Sequence, residues 1–170
     1  MKSLFLFFSA ILLAGCSAKY STNNIQERTE SLSKDAPVAI SQPTDGVYET
    51  HTYSGSGKAT ADAVKAAFLR YSDNVTVFND CDDLTCLKNR HTLSRGYYVV
   101  PQILHWEDRA TEWSGIPDKI EVKITVYNAE SNNRVASTII NGKSKWATFG
   151  GDHPQDLLPE PVSAFISSLY

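Results

Sequence analysis

Residues Lys119–Tyr127 read KIEVKITVY. Ile120, Val122, Ile124 and Val126 alternate with Glu121, Lys123 and Thr125. A period of two places the apolar set on one face of an extended chain and the polar set on the other. One dry face and one wet face mark a strand of an antiparallel sheet. Upstream, Tyr97–Trp106 (YYVVPQILHW) is apolar on both faces at its start, as in a strand covered on each side. Pro101 has no N–H for a ladder and predicts a bulge or an unpaired side there. Ser114-Gly115 and Pro117-Asp118 supply the intervening turn, and Ser131-Asn132-Asn133 supplies the next, before Val135–Ile140. These three strands form an antiparallel meander.

Working outward, Lys58–Tyr71 is alanine-rich, with Val64, Phe68 and Tyr71 on one helical face. Gly55-Ser56-Gly57 precedes it, and Ser56 is the candidate N-cap. Val75–Phe78 (VTVF) and Pro37–Ser41 (PVAIS) read as strands, and Val47–Ser54 as a weak strand or extended loop. Asp82–Arg95 reads as a second helix, with Gly96 past its end as a left-handed cap. Leu158, Val162, Phe165, Ile166 and Leu169 recur at helix spacing. The expected order is βαβαβββα, an α/β (α+β) domain over residues 36–170 with one mixed sheet and helices packed on it.

The chain opens with Met1-Lys2-Ser3 and a 10-residue apolar run, Leu4–Leu13. As a helix it spans roughly 15 Å, about half a hydrocarbon core, and suits a signal peptide over residues 1–15 rather than a permanent span. Leu13-Ala14-Gly15-Cys16 follows and resembles the lipobox of bacterial lipoproteins. The resemblance implies cleavage before Cys16 and attachment of a diacylglycerol to its thiol, with a further fatty acyl chain such as palmitate on the new amino end. Two or more chains give stable anchoring where one does not. Ser17 after the cysteine, by resemblance to known sorting, implies the outer membrane and its periplasmic face. Residues 16–35 then read as the lipidated cysteine and a polar, flexible tether.

Net charge is −3, and loss of Lys2 with the leader makes it −4. No basic run of five residues occurs, so neither nucleic acid nor a polybasic lipid-binding segment is expected. In an oxidising compartment Cys81 and Cys86 are expected to form a disulfide. A metal site using both thiols with Asp82, Asp83 or His91 is the competing reading.

The search for chemistry finds little. Gly55-Ser56-Gly57-Lys58 is not a phosphate loop, because Thr52 stands at the required earlier glycine and Ala59 at the magnesium-ligating position. His51, His91, His105 and His153 lack the spacings of zinc sites. No catalytic residue, metal or cofactor is expected. Leu104–Asp118 concentrates Trp106, Arg109, Trp113 and Ile116, and Trp146 precedes the Gly150-Gly151 turn. Tryptophan and arginine dominate binding hot spots, so Trp106, Arg109, Trp113 and Trp146 are the candidate binding residues. The alternative is that the tryptophans lie on the sheet as core.

Gly55-Ser56-Gly57, Val99–Trp106 with Glu107-Asp108-Arg109, Trp113-Ser114-Gly115, Gly142-Lys143-Ser144 and Gly150-Gly151-Asp152-His153-Pro154 before Leu157-Leu158 occur in that order. In this the chain resembles a family of small proteobacterial lipoproteins known only as a domain of unknown function. The resemblance implies an envelope lipoprotein without an assigned activity. The expected role is a non-enzymatic accessory module bound to the membrane by its lipid and to another envelope protein. The rivals are an enzyme or small-ligand carrier with a pocket near His105, Glu107 and Asp108, and a hydrolase inhibitor using Leu104–Asp118 as a protruding loop.

Overall fold

The computed structural model describes residues 18–109, 116–145 and 153–170. Among these residues, six strands form one sheet: β1 (Lys19–Gln26), β2 (Val38–Ser41), β5 (Val75–Phe78), β6 (Tyr97–Glu107), β7 (Lys119–Asn128) and β8 (Arg134–Lys143). Their order across the sheet is β1-β8-β7-β6-β2-β5. Two further strands, β3 (Val47–Tyr48) and β4 (His51–Thr52), make a separate two-stranded ribbon. The helices are α1 (Ser56–Phe68), α2 (Leu84–Arg90) and α3 (Pro159–Leu169), with a 3-10 turn at Pro154–Leu157 ahead of the last. The fold is the expected mixed α/β sheet, antiparallel through β6, β7 and β8 and parallel through β6, β2 and β5.

Register fixes the two faces. Trp106 pairs with Ile120, Ile120 with Gly142, and Gly142 with Tyr20, so these four side-chain positions share one face. Val122, Ile124, Val126 and Ile140 continue it and are fully buried. Val64 and Phe68 of α1 and Val162 and Ile166 of α3 close over this face. Gly142 allows the contact, since a Cβ there would lie 2.9 Å from Ile120 and 3.1 Å from Leu157. On the opposite face α2 and its Leu87 pack on Ala39, Tyr98 and Val100, and Tyr48 of the ribbon packs on His105 near the buried Glu107. Among the described residues, Lys19, Lys119 and Lys143 on that face are exposed.

Several boundaries differ from expectation for identifiable reasons. Ser56 is not an N-cap but lies in the first turn of α1, and its hydroxyl accepts from Gly46 N at 2.8 Å. Gly55, at φ 88°, begins the helix, and Asp45 supplies the cap from a separate loop, accepting from Gly55 N at 3.1 Å and Gly57 N at 2.8 Å. The second helix stops at Arg90 instead of Arg95, where His91 stacks on Phe78 at 3.6 Å and reaches Asp80. Gly96 is left-handed (φ 96°) but serves strand entry, not a helix end. Its missing Cβ would lie 2.1 Å from the Pro37 carbonyl oxygen. The bulge in β6 falls between Ile103 and His105, while Pro101 sits beyond the last β2–β6 pair, Ile40 with Val99.

The largest correction concerns the tether. Lys19–Gln26, expected to be flexible, is the edge strand β1 and pairs antiparallel with β8 from Lys19–Lys143 to Gln26–Ser137. Residues 28–35 then run along the domain: Arg28 donates to Ser168 O, Leu32 N to Leu169 O at 2.8 Å, and Asp35 N to Tyr71 O at 2.9 Å. Leu32 is core. The folded domain therefore begins at about residue 18, not 36. Apart from Tyr20, which packs against the core, the strand is mostly polar and exposed, so ladder hydrogen bonds rather than burial hold most of it, and hydrophobic periodicity has little to register.

Candidate functional site

The end of β6 gathers the charged groups. Alternation puts His105 and Glu107 on the solvent-side face, and register places Lys119 opposite Glu107. The Glu107 side chain is only 2 % exposed, so its charge must be met inside the protein. Arg109 Nε donates to Oε1 at 2.5 Å, and a second guanidinium nitrogen donates to the same oxygen. Lys119 Nζ and His105 Nε2 each stand 3.3 Å from Oε2. Burial alone would raise the Glu107 carboxyl, but hydrogen bonds from Arg109, His105 and Lys119 outweigh it and hold the group below the ordinary glutamate range. The bond to Glu107 in turn pushes Arg109 up. Tyr48 of the ribbon packs edge-on against His105 at 5.0 Å, and the Arg109 guanidinium lies 5.8 Å from the Tyr48 ring centre.

Asp118 is the second buried carboxylate, at 1 % exposure. Its Oδ1 accepts from Arg109 N at 2.6 Å, and its backbone exchanges hydrogen bonds with Ser144 at 2.8 and 3.0 Å. Oδ2 has no partner among the described residues. Burial pushes the Asp118 carboxyl above its ordinary range against the Arg109 amide bond, and the nearby Asp108 adds to the rise.

Chemically the arrangement is a lock. A carboxylate holding three cationic or donor groups is a poor general base, because its lone pairs are occupied and its proton affinity is lowered. Glu107 therefore closes the β6–β7 hairpin end and fixes Arg109 rather than offering a free carboxylate to a ligand. Asp108 points to a different partner, His153, at 3.9 Å, beside an open cleft of about 450 Å³ bordered by His51, Tyr53, Ser56, Trp106 and Gln155.

Of the expected binding residues, Trp106 belongs to the core. It is 3 % exposed and packs over Gly46, where a Cβ would come within 2.6 Å of it. Arg109 is described but committed to Glu107. Trp113 and Trp146 lie outside the described residues, as does Cys16. The Leu104–Asp118 loop expected of an inhibitor falls partly there too. Cys81 and Cys86 are at bonding distance, with sulfurs 1.93 Å apart. Asp80, Cys81 and His91 group within 4.8 Å, but the Cys81 sulfur is already bonded and Asp80 is engaged by His91 and by Arg90 at 3.0 Å. That grouping is a structural cluster. Asp83 caps α2 through Cys86 N at 2.7 Å. Sequence reasoning missed Asp118 and Lys119, because a turn aspartate and a strand-end lysine ordinarily meet water. Ser144, from beyond the end of β8, helps bury Asp118, and Glu107 of β6 engages the exposed Lys119.

The chain belongs to the family described as "Domain of unknown function (DUF4823)". The family model matches residues 30–169. No curated protein matches the chain. Among solved structures it is similar to the PelC dodecamer from Paraburkholderia phytofirmans, at 9 % identity and TM-score 0.65 over 90 % of this chain and 97 % of that one. A single-substitution variant of that dodecamer gives 10 % identity and TM-score 0.61, again over 90 % and 97 %. Protein XCC0632 from Xanthomonas campestris is similar at 11 % identity and TM-score 0.50, over 91 % and 93 %. At these identities the likeness is one of fold.

The two carboxylates predict opposite pH behaviour. Glu107→Gln is expected to lower stability by about 2 kcal/mol at neutral pH, since it removes charge-assisted bonds. Because the folded Glu107 value is depressed, its contribution is present above the ordinary glutamate pKa of about 4.3 and lost as pH falls through the folded value. The deficit should close in acid. Asp118→Asn is expected to raise stability at neutral pH, where an ionised Asp118 opposes folding. That gain should vanish below the ordinary aspartate pKa of about 3.9, where the carboxyl is protonated both folded and unfolded. Urea unfolding of both variants across pH checks the signs.

Proposed function

We propose that the protein is a lipoprotein, anchored through Cys16 to the periplasmic face of the outer membrane, that acts as a non-catalytic accessory module for envelope machinery. The observation that carries this reading is Leu13-Ala14-Gly15-Cys16 at the end of a 10-residue apolar run. Two further features support it. Glu107 is occupied by its own cations, which leaves its carboxylate poorly suited to acid–base work at the sheet end. Among the described residues the sheet ends in two edge strands, β1 and β5, and one face carries an exposed polar stretch on which another protein can be received. No helix among the described residues is long and apolar enough to cross a membrane, so a lipid is the attachment this reading requires.

The partner has two forms. One is a different envelope protein. The other is further copies of this chain, favoured by one observation: the PelC fold neighbour forms a dodecamer. Native mass spectrometry of the detergent-solubilised protein separates them, since self-assembly gives a closed multiple of one mass.

Labelling of growing cells with an alkyne-bearing palmitate tests the anchor. The wild-type protein should take up label, and Cys16→Ser should take up none. An unlabelled wild-type protein whose mature chain lacks acyl mass would overturn the reading.

A further inference from the structure

Register pairs Lys19 with Lys143 and Lys143 with Lys119. Directly opposed residues in neighbouring strands share a face, and strands lie about 4.8 Å apart. Three lysines therefore stand side by side across β1, β8 and β7 on the solvent-side face. Like charges set directly opposite one another are destabilising. Lys119 reaches Glu107, whereas Lys19 and Lys143 make no ion pair among the described residues, and all three are exposed. With Ser21, His105, Glu121 and Asn141 they border an open cleft of about 380 Å³. A chain of net charge −3 thus concentrates three ammonium groups around a cleft whose described lining holds a single carboxylate, Glu121.

Little chain separates Cys16 from the sheet. Ala18 already packs against the main core and Lys19 opens β1. Only Ser17 separates that packed residue from Cys16. Three residue steps, Cys16 to Lys19, reach at most about 10 Å. The headgroup layer on each side of a bilayer is roughly 5–8 Å thick, comparable to the Debye length of about 8 Å at physiological salt. An anchor in the acyl region therefore holds Lys19 at the headgroups, with the standing repulsion of the row facing the lipid phosphates.

We infer that the row Lys19–Lys143–Lys119 docks on the phosphate headgroups of anionic phospholipid in the leaflet that holds the anchor. The inference rests on the Cys16 lipid attachment proposed above. It sets the end of β1, β8 and β7 against the bilayer and turns the β7–β8 turn at Ser131–Asn133 outward, roughly 33 Å away for ten strand residues. Surfaces near that turn and along β5 then face a partner.

Lysine footprinting of the acylated full chain tests this. The protein is reconstituted in phosphatidylcholine vesicles with or without phosphatidylglycerol, acetylated briefly and mapped by mass spectrometry. Lys19 and Lys143 should react about fivefold more slowly in the anionic vesicles, the size of effect one lysine gains near such a surface. Lys58, paired with Asp62 on α1, should not change. Equal reactivity of Lys19 and Lys143 in the two vesicle types overturns the headgroup contact, as does slowing of Lys58 by the same factor. The mass of the intact chain is read in the same run. A chain without acyl mass rejects the anchor itself, which keeps that failure separate from failure of the contact.

Discussion

The structure depends on one constraint: the β6–β7–β8 meander must keep one face dry under α1 and α3 along its whole length. A one-residue slip of β7 would carry Val122, Ile124 and Val126 to the opposite side and bring Glu121 and Lys123 under the helices. Bulges absorb local mismatch at Ile103/His105 and Val126/Tyr127, and alternation holds on either side of them. While α2 packs on the opposite side of β2 and β6, the main core answers to the dry face. The helices α1 and α3 cover it, the parallel strands β2 and β5 widen it, and Gly142 lets Leu157 settle against Ile120.

The wet face carries the features relevant to function. Glu107 lies at the end of β6 where solvent-side alternation meets the packing of the ribbon, so its carboxylate is buried on the polar side of the sheet. Burial of a lone carboxylate is costly, and the fold meets it with Arg109, Lys119 and His105. That network ties β6, β7 and the segment after β6 together. Beside it, where β1 joins, the same face presents lysines with no such partner among the described residues. One end of one face thus holds an internally neutralised charge and a charge directed outward.

Much of the fold was legible in the residues. KIEVKITVY carried its strand and its orientation, and the Val64/Phe68 and Leu158–Leu169 spacings carried their helices. Elements stabilised by something other than apolar periodicity were not. β1 beyond Tyr20 is mostly polar and held by its ladder, so STNNIQ resembles a tether in composition. The cap of α1 comes from Asp45, ten residues upstream of Gly55, and a local motif search stops at Ser56. Trp106 illustrates the converse error. A tryptophan beside charged residues resembles a hot spot, yet its register with Ile120 and the glycine at position 46 place it in the core. The candidate site was legible only as a concentration of charge. Which carboxylate is tied and which is left with an open oxygen depends on partners brought in by the fold. Tyr48 and Lys119 reach Glu107 and Arg109 from other strands, and Ser144 reaches Asp118 from beyond β8.

Residues 19–26 are part of the sheet, which shortens the link between Cys16 and the fold to almost nothing. Hydrogen–deuterium exchange of the mature protein, resolved to single amides over this segment, tests it most directly. An antiparallel edge strand protects every second amide, so alternating amides of Lys19–Gln26 should exchange orders of magnitude more slowly than an open chain. Uniform exchange at open-chain rates from Lys19 to Gln26 would contradict the account.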